Sequence, residues 1–263
     1  MGMGGKRKEG KKVMMEKINI RTTIIHTPVK IIMGQKAIGN LLSEDEINEI
    51  KESKPDFVCL PELFFVTAEM KNYADAANAF EKYIEYLRKL SAELELIVVG
   101  GTLIFKDAIG FKSICHIYNR GELASKYTKI NLTEHEKKKG FIQGENHIKC
   151  AYRDISYTTL ICNDIFSNAG FIWAKENDIK LIFMPTGSPF KPQENIEDKY
   201  RRDQELYVAK SMISDAIVIK ICGVGSVFGN KLQGRSLIAS PHGILFRIDP
   251  SQELHEHLLE VRI

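Results

Sequence analysis

Residues 157–184 read YTTLICNDIFSNAGFIWAKENDIKLIFM. Tyr157 to Ile161 is a short apolar run of strand formers, and Lys180 to Met184 is another. Between them Phe166, Ala169, Gly170 and Trp173 recur at helical spacing and share one side. Strand, helix, strand is the unit from which an α/β domain is built.

The same alternation extends in both directions. Upstream, Asp56 to Leu60 (DFVCL) reads as a strand buried on both faces. A long helix follows, with Phe80, Tyr83, Ile84, Leu87, Leu90 and Leu94 as its apolar stripe. Leu96 to Phe105 (LIVVGGTLIF) is strand-like, with a Gly-Gly pair where the chain bends or backbones approach closely. Strands at Ser113–Tyr118 and Glu122–Tyr127 flank Asn119-Arg120-Gly121, a hairpin turn signal. Nearer the start, Ile18 to His26 is expected as the first strand and Glu44 to Lys51 as a short helix. Downstream come a helix over Glu197–Ile213 and strands near Ala216–Ile221, Arg235–Ala239 and Ile244–Phe246. No Pro/Gly/Ser-rich linker interrupts this text, so residues 18–263 are expected to form a single α/β domain. The helices are too few to ring an eight-stranded barrel, and mixed sheets with helices on their outer faces suit the pattern better.

Composition narrows the function. The 263 residues are 44% hydrophobic, enough for a large core. With 37 Lys and Arg against 34 Asp and Glu, the net charge of +3 argues for neither nucleic acid nor a membrane surface as partner. Residues 1–17 are basic and lack an apolar stretch of the kind a secretory signal carries; they read as a disordered tail. Cys59, Cys115, Cys150, Cys162 and Cys222 are scattered and include no CxxC pair, which points to free thiols and a reducing, cytoplasmic setting. No metal and no cofactor is expected. His255 and His257 flank Glu256, but with no further ligands converging on them they read as a solvated terminal segment.

Three places bear chemistry, each where a strand ends. In Leu60-Pro61-Glu62-Leu63, Pro61 cannot donate to a sheet ladder and marks the strand's end. Glu62 therefore stands at the carboxyl rim, where ligands bind in open α/β sheets, and can serve as a general base. Cys162 follows a strand and precedes a helical pattern. A sulfur near a helix N-terminus is expected to have its thiolate stabilised, and the Asn163 amide is placed to face an oxyanion. The other four cysteines lie in apolar strand text and read as core. Lys129, in Tyr127-Thr128-Lys129-Ile130-Asn131-Leu132, draws its significance only from the other two.

Taken together, these passages resemble the nitrilase superfamily, the carbon–nitrogen hydrolases. That family carries a Glu in a Pro-Glu-Leu strand end, a Lys in a Y-x-K-x-x-L segment and a Cys after an apolar strand, in this order. Phe141-Ile142-Gln143-Gly144 resembles its F-x-x-G. Gly234-Arg235-Ser236 through Pro241-His242-Gly243 resembles its late hairpin, and Met184 to Pro189 falls where members carry a pocket-lining loop. The resemblance implies a four-layer α-β-β-α sandwich, usually paired into a homodimer or larger homo-oligomer. It implies Glu62, Lys129 and Cys162 as the catalytic triad, with a second glutamate positioning the substrate; Glu136 is the choice, with Glu134 beside it. The activity implied is hydrolysis of a small linear amide or carbamoyl amine through a Cys thioester. Acyl transfer, or a binding protein that keeps the fold, are the alternatives. Two departures stand out. Asp164-Ile165-Phe166-Ser167-Asn168 replaces the family's Arg-Phe-Pro-Glu-like run, and the expected first strand ends Ile25-His26-Thr27-Pro28 without the usual Gln.

Overall fold

The computed structural model describes residues 15–263. Most of the expected tail, residues 1–14, lies outside the described residues. Its last part is not tail: β1 (Glu16–Asn19) runs parallel to the C-terminal strand, and Met15 is buried.

After β1 come β2 (Lys30–Gln35), α1 (Glu44–Ser53) and β3 (Phe57–Cys59). A short α2 (Tyr73–Asn78) leads to α3 (Phe80–Leu94), then β4 (Ile97–Val99) and β5 (Leu103–Lys106). Next are β6 (Phe111–Asn119), β7 (Glu122–Thr128), α4 (Glu134–Lys138), β8 (Cys150–Tyr152) and β9 (Ile155–Thr159). A 3-10 turn over Cys162–Phe166 precedes α5 (Ala169–Glu176) and β10 (Leu181–Thr186). Helix α6 (Ile196–Asp203) continues through a π-helical turn, Gln204–Val208, into α7 (Ala209–Ser214). The chain ends with β11 (Ile217–Cys222), β12 (Gly225–Val227), β13 (Asn230–Leu232), β14 (Leu237–Ser240), β15 (Gly243–Arg247) and β16 (His257–Arg262).

Local chemistry accounts for several of these boundaries. Ser43 and Glu46 form a reciprocal capping box at the start of α1, which ends on Lys54 in the left-handed region. The β6–β7 turn places Arg120 and Gly121 at φ 51° and 87°, the two positive values that a tight two-residue hairpin needs. At Gly100-Gly101 the expected Leu96–Phe105 strand splits into β4 and β5, which join opposite sides of β6.

Two large mixed sheets carry the molecule. One runs β1-β16-β2-β3-β4-β6-β5 with β7 also on β6; the other runs β15-β14-β11-β10-β9-β8. Alternation along the strands sorts the core into layers. Ile31, Met33, Phe57 and Val99 of the first sheet join Tyr157, Phe183 and Ile219 of the second in one buried cluster between the sheets. The intervening Ile32, Val58 and Val98 turn outward and pack under Ile50 of α1 and Leu87 and Leu90 of α3. On the other side, Phe171 and Ala174 of α5 are fully buried against the second sheet. The result is the α-β-β-α sandwich.

Two expectations need correction. The Ile18–His26 strand stops at Asn19, and the strand that enters the core is β2, which reads KIIMGQ and ends on a buried Gln35. Gln35 Oε1 accepts from Ser236 Oγ at 2.9 Å, and its Nε2 donates to His255 O at 3.1 Å. The segment around His257 is not a solvated end. β16 lies between β1 and β2, with Leu258, Leu259 and Val261 buried, because pairing on both edges satisfies its backbone.

Candidate active site

Glu62 is fixed by what happens beyond β3. Leu60 N still donates to Val99 O at 3.0 Å, but Pro61 offers no donor, and Leu63 turns into the left-handed region at φ 56°. Thr102 Oγ1 accepts from Leu63 N at 2.8 Å and pins the turn. Gly101 makes this possible: its φ is +66°, and a Cβ there would lie 2.2 Å from Pro61 O. Glu62 is 5% exposed as a result.

Lys129 leaves β7 on a backbone tied at both ends, its N donating to Ser113 O at 3.0 Å and its O accepting from Gly144 N at 2.8 Å. Gly144, the glycine of the F-x-x-G passage, is needed there because a Cβ would sit 2.2 Å from Thr128 O. The Lys129 ammonium, 1% exposed, donates to Glu62 Oε1 at 2.9 Å and to Glu136 Oε1 at 2.8 Å. The capping box of α4 occupies the other oxygen of Glu136, which accepts from Thr133 N at 2.7 Å. Glu134, the alternative, points to Lys137 at the surface. Burial pulls the Lys129 pKa down, but the negative charges around it, Glu62 foremost, outweigh burial and hold it above the usual lysine value.

Cys162 sits half-buried at φ 41°, a strained backbone for a non-glycine residue. Asp164, overlooked in the sequence reading, holds the turn in place. One of its oxygens accepts from Ile161 N at 2.7 Å and Tyr127 OH at 2.9 Å; the other accepts from Asn131 N at 2.8 Å and Asn131 Nδ2 at 3.0 Å. Asn163 adds a further tie, its Nδ2 donating to Leu132 O at 3.2 Å. Both link the cysteine turn to the loop that follows Lys129.

Gly187, just past β10, completes the set. Its N donates to Glu62 Oε2 at 2.8 Å, and its O accepts from Cys162 Sγ at 3.7 Å, so the backbone of one residue bridges carboxylate and thiol. Glu62, Lys129, Glu136 and Cys162, which lie on the three connections that follow β3, β7 and β9, thus converge at one place. The expected thiolate needs correction, however. Burial and the Glu62 carboxylate push the Cys162 thiol well above its usual value, and Lys129 offsets only part of this. A 3-10 turn, rather than an α-helix, follows the sulfur. Cys59, Cys115, Cys150 and Cys222 are buried, as expected.

A cavity of about 170 Å³ opens beside Cys162, with Thr186, Gly187, Ser188 and Pro189 along its wall, where the resemblance put a pocket-lining loop. Tyr73, pushed up to about 12 by burial and by the charges of Glu136 and Glu62, stays a neutral phenol.

A two-sheet sandwich whose strand ends gather a thiol, an ammonium and two carboxylates defines the class. The carbon-nitrogen hydrolase family matches residues 36–259, and the chain belongs to that family. A glutamate-to-glutamine mutant of an amidase from Nesterenkonia sp. AN1, solved after Michael addition of acrylamide at its active site cysteine, superposes with a TM-score of 0.73 at 18% identity, covering 88% of this chain and 91% of that one. A glutamine-dependent NAD+ synthetase from Acinetobacter baumannii superposes at 0.72 and 18% identity, over 90% of this chain and 46% of that one. In sequence, the glutamine-dependent NAD(+) synthetase of Acinetobacter baylyi is 21% identical over 192 residues, 68% of this chain. The match spans only 36% of that relative's length. At these identities the solved structures bear on fold alone. No helix among the described residues is long and apolar enough to cross a membrane.

Proposed function

We propose that this protein hydrolyses a small linear amide or carbamoyl amine through a thioester on Cys162. The observation that carries the reading is the buried Lys129 ammonium, within 2.9 Å of Glu62 and 2.8 Å of Glu136, beside a thiol that shares the backbone of Gly187 with Glu62. A lone buried lysine is costly, and two carboxylates around it neutralise the cost while fixing its position.

In the first half-reaction, Glu62 takes the thiol proton as Cys162 Sγ attacks the carbonyl carbon. Lys129 and the Asn163 N–H stabilise the charge that develops on the carbonyl oxygen. Glu62 returns the proton to the nitrogen, and ammonia or an amine leaves. In the second half-reaction Glu62 takes a proton from water as it attacks the thioester, the C–S bond breaks to release the acid, and Glu62 returns the proton to the sulfur. Glu136 holds Lys129 in line and flanks the substrate. The raised thiol pKa agrees with this scheme, since the proton is removed during attack and not before it. The Nesterenkonia amidase, whose glutamate-to-glutamine mutant admits acrylamide to its active site cysteine as a Michael adduct, adds support for a small amide.

The test is ammonia release from a panel of aliphatic amides, ureido acids and nitriles. We expect turnover of an amide or ureido compound, a thioester adduct at Cys162 by mass spectrometry, and at least about a thousandfold loss in Cys162→Ala. Turnover that survives in Cys162→Ala, or none across the panel, would sink the reading.

A further inference from the structure

The wall of the cavity beside Cys162 holds one uncharged side chain that this mechanism leaves idle. Gln233, just past β13, lines the cavity and is 1% exposed, yet its Oε1 accepts a hydrogen bond from none of the described residues. A buried carbonyl oxygen without a donor is costly, and in a ligand cavity the ligand can supply the missing partner.

The backbone holds this carboxamide in place. Phe190 N donates to Lys231 O at 2.9 Å and Gln233 N donates to Ser188 O at 2.9 Å, so β13 is laced to the loop after β10. On the other side, Gly234 N donates to Glu253 O at 2.6 Å. A Cβ on Gly234 would lie 2.2 Å from Gln35 Cδ, so the chain is confined there as well. Ser188 directly follows Gly187, whose backbone bridges Glu62 and Cys162. Gln233 is therefore fixed relative to the thiol.

The charges in the wall decide what kind of donor fits. Asp203 is the one carboxylate among the described residues lining the cavity, and three cations already hold it: Arg235 at 2.7 Å, Arg247 at 3.3 Å and Lys220 at 3.7 Å. Arg202 pairs with Glu194, and Lys191 is exposed to solvent. An ammonium would thus find no free carboxylate and would be repelled by the cations. The unmatched group is a neutral acceptor, and it calls for a neutral donor. Its own carboxamide also carries N–H groups, so a second carboxamide or a ureido group, with a carbonyl beside its N–H, matches it at both atoms. A hydroxyl matches only one.

We infer that Gln233 is a specificity-determining residue that hydrogen-bonds an uncharged amide or ureido N–H at the far end of the substrate. The compound hydrolysed is then a small diamide or an amide bearing a ureido group. This deepens the proposed function and rests on it for the reaction, though not for the binding.

The test uses Cys162→Ala protein and calorimetric titration with succinamide and glutaramide. Each is compared with the monoamide in which the second amide is a methyl ester, which keeps the carbonyl and loses the N–H. We expect at least one diamide to bind about tenfold or more tighter than its ester, beyond the statistical advantage of equivalent ends. In Gln233→Met, which keeps the side chain's length and loses the acceptor, the ratio should fall to that statistical advantage alone. Gln233→Leu should do the same, and a cooperative melting transition identifies the folded variants. Equal binding of diamide and ester, no binding of either diamide, or a preference that survives in a folded variant would overturn the inference. Tighter binding of the corresponding acids, succinamate or glutaramate, than of the diamides would overturn it too. Diamide-selective binding without ammonia release from the Cys162 protein would refute the hydrolase and keep the subsite. Turnover of monoamides with no preference for diamides would do the reverse.

Discussion

At Cys162 three influences compete. Burial and the Glu62 carboxylate raise the thiol pKa, and Lys129 lowers it, with the first two prevailing. Glu62 therefore has two opposed effects in the proposed mechanism: it makes the resting thiol harder to ionise, and it serves as the base that takes the proton. Glu62→Gln separates them. We predict that this variant alkylates Cys162 with iodoacetamide faster than the parent at pH 8, because the repelling charge is gone. Ammonia release should fall about a hundredfold or more, because the base is gone. A variant that loses both reactivities together would show Glu62 acting only through structure. The three side chains that converge at the site, Glu62, Lys129 and Cys162, were legible in the sequence because each is a distinctive chemical type in a short passage at a strand end. Asp164 was not. Its four donors come from residues 127, 131 and 161, and only folding shows that a carboxylate two residues past the cysteine will meet them.

At the scale of elements, the rims of β3, β7, β9 and β10 each contribute to the site, and tight backbone approaches set where those rims lie. Gly101 is the clearest case, since its positive φ and the nearby Pro61 carbonyl both exclude a side chain. We expect Gly101→Ala to destabilise the protein by about 2 kcal/mol or more in urea denaturation. It should also lower kcat, because Glu62 is the next residue after Pro61. An unchanged midpoint with full activity would show that this approach does not set the rim. Helices α1 and α3 were readable from the stripe of α3 and the span of α1, since a helix's pattern is complete within its own residues. β2 and β16 were not, because their partners lie far away in the chain and nothing local marks a strand that is paired on both edges.

At the scale of the molecule, the C-terminal strand closes the first sheet. β16 joins β1 to β2, and Ile263 exchanges backbone hydrogen bonds with Val29 at 3.0 Å in both directions. Removing residues 257–263 would strip the inner edge of β2 and uncover Leu259 and Val261. We predict that the truncated chain shows no cooperative thermal transition by circular dichroism; a sharp transition near that of the full chain would refute this role. The same closure carries the glutamine of β2 to Ser236 of the late hairpin, tying the two sheets together beside the site.

The amino-acid sequence by itself determined the alternation of strands and helices, the family, and the thiol, the ammonium and the Glu62 carboxylate that meet at the site. Each of these depends on residue type and short-range spacing. Tertiary structure decided the rest: that Glu136 rather than Glu134 reaches Lys129, that burial and Glu62 push the Cys162 thiol up, and that Asp164 holds its turn. These depend on distances between segments far apart in the chain and on how completely water is excluded where they meet, and a linear reading contains neither.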